Sequence, residues 1–163
     1  MYEKILVAVD HSAPSERALA AARELALLSH GEVWVVHLRE REAMGKTGLL
    51  TSSESSDEAT DSVTAAVASL TEAGIKAHAV VRDTVFGYAA KEIVSDAAGI
   101  GADVIVMGSR GRGDLAGLVL GSTAHKVIHL ADRPVLVVRC PLVIITAAIG
   151  ALPPAVSTRV PVS

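Results

Sequence analysis

The chain has 163 residues, a length that suits one domain and is enough to bury a core without staples. Half of it is hydrophobic but only 2% is aromatic, so the core must be Val, Leu, Ile and Ala, the composition of a parallel sheet covered by helices. A formal net charge of -3 excludes a general pull toward nucleic acid or anionic membrane, and a single cysteine, Cys140, excludes an internal disulfide framework and disfavours a cysteine-rich zinc site.

Lys4 to Val9 is a continuous apolar run, which predicts a strand buried on both faces. Asp10, His11 and Ser12 follow it, and a helix is expected from Ser12 or Ala13, with Pro14 suited to the first turn and Gly31 closing the end. Val33 to Leu38 predicts a second strand. Arg39 to Glu58 is polar and rich in Ser, with Gly45 and Gly48, and reads as a long mobile loop. Asp57 to Ala73 carries an apolar stripe of Val63, Ala66, Val67 and Leu70, and predicts a helix. A third strand over Lys76 to Arg82, a helix over Phe86 to Ala98 and a fourth strand over Asp103 to Met107 follow. The last elements are a helix over Ser122 to Ala131 and a fifth strand over Pro134 to Arg139.

Each helix is long enough to be a crossover between parallel strands, so the expected fold class is α/β, a single-domain doubly wound sheet with helices on both faces. The domain is expected to span 1–139, and 140–163 to be a C-terminal tail, either strand-forming or disordered. Within the tail, Leu142 to Leu152 is uncharged but has only eleven residues, against the roughly 20 of a membrane span. Pro153 and Pro154 then stop any helix. No basic stretch leading into an apolar segment opens the chain, so a soluble, cytoplasmic protein is expected.

The stretch with the most chemistry lies between the fourth strand and the last helix: Gly108-Ser109-Arg110-Gly111, then nine residues, then Gly121-Ser122. A strand, a glycine-rich loop and a helix start together present backbone N–H groups that have no partner inside the helix, where the helix dipole also favours an anion. Glycine lets the loop turn back and lets the anion approach the backbone. Two commoner nucleotide signatures are absent. Gly108 to Gly113 has the glycine spacing of a P-loop, but Asp114 stands in place of the lysine, and the first strand leads into Asp10 to Pro14 instead of a Gly-x-Gly-x-x-Gly turn.

These residues resemble the universal stress protein family. Val7 to Asp10 near the start, Val106 to Gly111 with Gly121, Ser122 and Thr123 near the end, His125 to Ile128, and Arg133 to Val138 carry the likeness, over roughly residues 2–139. The complete Gly-x2-Gly-x9-Gly-Ser spacing resembles the version found in members that bind ATP. The resemblance implies five parallel strands in the order 3-2-1-4-5, with a reversal between the first and fourth strands. Asp10 and Gly108 then face one crevice, the place where such sheets bind ligands. It also implies a homodimer through the fifth strand, residues 134–139.

On that basis ATP is the expected ligand, with Mg2+ as a possible companion held by Asp10. Asp10 can bond a ribose hydroxyl or help to hold the metal; as an alternative, it caps the following helix. Gly108, Ser109, Gly111, Gly121, Ser122 and Thr123 are phosphate candidates, or else a flexible turn and a cap by Ser122. Arg110 and Arg112 either pair with phosphates or stay solvated. Backbone groups at His37 and Leu38 correspond to the strand end that holds adenine in the family. Val9, Val36 and Met107 can line an apolar slot for the ring, but Val36 and Met107 read more readily as ordinary sheet core, whereas Ala8 and Val9 match the family position more closely. His125 and His129 are four apart on a helix and can share a face, but with no Cys or Glu-x-x-His context no zinc site is assigned. The expected function is that of an ATP-binding, stress-response regulator. A slow ATPase, or a scaffold with an unused nucleotide site, is the alternative, and no general base or clamp lysine supports more than weak hydrolysis.

Overall fold

A computed structural model of the chain describes residues 2–44, 49–51, 55–110 and 120–139. Gly111, Arg112 and the 140–163 tail lie outside the described residues. The elements are β1 (Lys4–Val9), α1 (Ala13–Ser29), β2 (Glu32–Met44), β3 (Leu49–Thr51), α2 (Ser56–Glu72), β4 (Ala77–Val85), α3 (Ala89–Ile100), β5 (Val104–Gly108), α4 (Ser122–Leu130) and β6 (Val135–Val138).

Five strands are parallel and lie in the order β4-β2-β1-β5-β6. With β3 set aside, this is the 3-2-1-4-5 order expected. Alternation along the strands sorts the core into two layers. Ile5 and Val7 of β1, Val33 and Val35 of β2 and Val104 and Val106 of β5 pack with α1 and α2. Leu6, Val36, Ile105 and Met107 point the other way and pack with α3 and α4.

One expectation fails at Arg39 to Glu58. The segment is not one long loop: β2 runs on to Met44 and turns back through β3, pairing antiparallel from Glu42↔Thr51 to Met44↔Leu49. The extension is held by β4, whose Asp83 accepts from Arg39 Nε and Arg41 Nη2 at 2.5 Å each. The two guanidinium groups hold the Asp83 carboxyl below the usual carboxylate range, Arg39 most of all. Charges that look like loop composition are here cross-strand pairs.

Local caps explain where the helices begin. Ser12, not Asp10, caps α1, its hydroxyl accepting from the Ser15 N–H at 3.3 Å. Ser55 and Glu58 form a reciprocal capping box at α2. The cap of α4 is Gly121, which has no side chain to offer the first turn.

Candidate nucleotide site

β1 has β2 on one side and β5 on the other, so the strand order reverses there, and a crevice opens beyond the carboxyl ends of these strands. A cleft of about 130 Å3 occupies it, on the face that carries α3 and α4. Its apolar floor comes from Ala8 of β1, Val36 and Leu38 of β2, Met107 of β5, and Ala89 and Ile93 of α3. Its polar side is formed by Asp10, Ser15, Glu40, Arg110 and Thr123, together with the Gly108 and Gly121 backbone.

The turn after β1 is built by short hydrogen bonds. Asp10 Oδ1 accepts from the Ser12 N–H at 3.1 Å and from the Ser12 hydroxyl at 2.5 Å, and the Asp10 N–H donates to Ser15 Oγ at 3.2 Å. His11 between them has φ 63, the left-handed region, which lets the chain reverse from strand to helix in three residues. Asp10 therefore orders the residue that caps α1 and also lines the cleft, so the capping alternative survives in an indirect form.

Gly108 is required by packing. A Cβ there would lie 2.9 Å from both the carbonyl carbon and the Cβ of Pro14, so β5 and the start of α1 approach as closely as they do only because the side chain is absent. Ser109, buried and outside the cleft lining, fixes the two ends of the glycine loop. Its N–H donates to Val138 O at 2.8 Å, and its carbonyl accepts the Gly121 N–H at 2.7 Å. The first bond of α4 runs from the His125 N–H to Gly121 O at 2.9 Å. The amides of Ser122, Thr123 and Ala124 thus precede any intrahelical acceptor and lie at the positive end of the helix dipole.

Of the residues expected at the site, the cleft brings together Ala8, Val9, Asp10, Leu38, Met107, Gly108, Arg110, Gly121 and Thr123. Ser122 is exposed and outside the lining. His37 points to the opposite face of the sheet, where its buried ring places Nδ1 2.9 Å from Val9 O and stands edge-on to His11, with centroids 5.1 Å apart. Alternation from Val36 and Leu38 gives that result and also carries Glu40 into the cleft, a residue that sequence reasoning missed because it fell in the assumed loop. Ser15, Ala89, Ile93 and Ala124 were missed too. They come from helix starts and faces that only packing brings over the strand ends.

Comparison with known proteins decides the family. The family model described as the Universal stress protein family matches residues 1–139. The chain belongs to the universal stress protein family. It is 35% identical to the universal stress protein YxiE of Bacillus subtilis, over 85% of this chain and 100% of that one. It is 32% identical to the universal stress protein MJ0577 of Methanocaldococcus jannaschii, over 85% of this chain and 96% of the relative. A solved structure of MJ0577 superposes with a TM-score of 0.71, covering 86% of this chain and 97% of that one at 28% identity. A universal stress protein of Archaeoglobus fulgidus, solved in complex with dAMP, superposes with a TM-score of 0.62 at 29% identity, covering 84% of this chain and 98% of that one. Among the described residues no helix is long and apolar enough to cross a membrane, and no three His, Cys, Asp or Glu side chains gather as a metal site.

Proposed function

We propose that this universal stress protein is a cytoplasmic, nucleotide-dependent regulator that binds ATP in the cleft beyond β1, β2 and β5. The observation that carries the reading is the pairing of an apolar floor with a helix start whose glycine cap leaves its amides to an outside acceptor. Adenine lies on Ala8, Val36, Leu38 and Met107; Asp10 bonds the ribose; the phosphates meet the first turn of α4, with Arg110 and Thr123 beside them. The relative solved with dAMP supports an adenine nucleotide as the ligand class. One carboxylate together with phosphate oxygens is a donor set that suits Mg2+, so with the ion bound Asp10 would hold it in place of the ribose contact. Gly111, Arg112 and Ser122 complete the phosphate loop in this reading, with residues 1–139 as the nucleotide-binding unit and 140–163 as a separate tail.

Regulation follows from differential affinity, because a bound nucleotide shifts the protein only toward the conformation that it binds better. The β6 edge, where Leu136 is exposed, supplies the surface for a homodimer.

The test is to denature the purified protein and identify what it releases, then to measure binding by calorimetry. Intact ATP supports the proposal; ADP with single-turnover phosphate release points to an enzyme; no nucleotide and no calorimetric binding leaves a scaffold. Gly121→Val puts a branched side chain where the anion sits and is expected to weaken ATP binding about a hundredfold, the equivalent of two lost charge-assisted hydrogen bonds. A Gly121→Val protein that holds ATP like the parent overturns the assignment.

A further inference from the structure

On α4, away from the cleft, His125 and His129 stand one turn apart and both are exposed. Their Nε2 atoms are 3.3 Å apart, with ring centroids at 4.5 Å and planes inclined by 69°. We infer that this pair is a surface site for a divalent transition-metal ion of the Zn2+ class, gripped through both Nε2 atoms.

The separation carries the inference. Zn2+ takes imidazole nitrogen at about 2.0–2.1 Å in tetrahedral geometry, which puts two ligating nitrogens on one ion about 3.3–3.4 Å apart. The observed 3.3 Å matches that bite, and a turn of the two exposed rings aims both lone pairs at one ion. When both rings carry their hydrogen on Nδ1, each Nε2 has a free lone pair, and a cation between them takes the place of the hydrogen bond they otherwise share. A helix supplies the spacing rigidly, since residues four apart lie over one another on the same face. His129 belongs to the last turn of α4, where the helix dipole favours positive charge. Imidazole pairs suit Zn2+, Ni2+ and Cu2+, whereas Mg2+ and Ca2+ prefer oxygen. Because no third His, Cys, Asp or Glu joins the pair among the described residues, water completes the coordination. The ion is thus held by two side chains of one helix and is exchangeable, unlike a closed structural zinc.

The site shares no ligand with the nucleotide cleft, and its test does not depend on ATP binding. The measurement is calorimetric titration of the tag-free full chain with Zn2+, repeated with Co2+, whose visible absorption intensifies in four-coordinate sites. One saturable ion per chain is expected. His125→Ala and His129→Ala should each weaken it at least tenfold, while His78→Ala leaves it unchanged. Zinc should also shift the ring proton resonances of both histidines together. Both residues are exposed, so the variants should keep the parent's melting temperature without metal, which separates lost ligation from lost folding. No saturable uptake by the parent chain, or uptake unchanged in the double alanine variant, overturns the inference.

Discussion

The two ends of the parallel sheet are treated in opposite ways. At the amino ends of the strands the backbone is stitched shut. Asp103 Oδ2 accepts from the N–H groups of Glu3 and Lys4 at 2.8 Å each, Lys4 Nζ donates to Ile100 O at 3.1 Å, and Arg133 Nη1 donates to Ala97 O and Ala102 O at 2.8 and 2.7 Å. Side chains there finish the hydrogen bonding that strand and helix ends leave undone. At the carboxyl ends the same kinds of ends meet a cleft, and the helix that faces it begins at a glycine with no side chain to cap its first amides. One end gains stability from satisfied groups; the other, in the proposed function, keeps groups for a ligand. Stability and binding should therefore separate by location.

The largest effect is expected from Gly31→Ala at the closed end. Its Cβ would lie 2.5 Å from Tyr2 O and 2.9 Å from Glu3 O, both backbone atoms that cannot swing away. A loss of about 3 kcal/mol, the upper part of the overpacking range, should appear in urea unfolding, with ATP affinity per folded molecule unchanged. Next is Arg133→Gln, which strips a charged donor from the carbonyl of Ala97 in the last turn of α3 and that of Ala102 just beyond the helix. About 2 kcal/mol of stability should go, again without a change in affinity. A nucleotide defect in either protein would break the separation.

Asp103→Asn is milder, about 1 kcal/mol, because the carboxylate is exposed to solvent. Its sign with pH sharpens the argument. The amide of Lys4 above all, then that of Glu3, holds the Asp103 carboxyl below its usual range. Its stabilisation is thus present above the unfolded value of about 3.9 and is lost as pH falls through the lower folded value. The parent should lose stability over that acid window, and the Asn variant should lose less. The smallest effect on folding belongs to Arg110→Ala, at the open end. Its melting temperature should match the parent's, while ATP binding weakens about tenfold, one charge-assisted contact. An unchanged affinity would return Arg110 to the solvated reading.

Much of this division was legible in the residues. Continuous apolar runs such as Lys4 to Val9 and Val104 to Met107 gave buried parallel strands, and glycines at 108 and 121 marked the open end. The strand order came through resemblance. What stayed hidden depends on partners distant in the chain. Arg39 and Arg41 read as loop until Asp83 is beside them, and that misreading concealed Glu40. Ser12 rather than Asp10 as the cap, and His37 turned to the far face, follow from details of a three-residue turn and a strand register. Arg133 entered only as part of the family likeness, and Asp103 gave no sign of its role, because each is an ordinary surface charge until strand and helix ends converge on it.

Ser109 joins two parts of the molecule through its backbone. It is bonded on one side to Val138 in the last strand and on the other to Gly121 at the start of α4. The wall of the pocket and the border of the sheet therefore hang from a common tether two hydrogen bonds long. Displacing that wall and keeping the border in place would require breaking one of these two bonds.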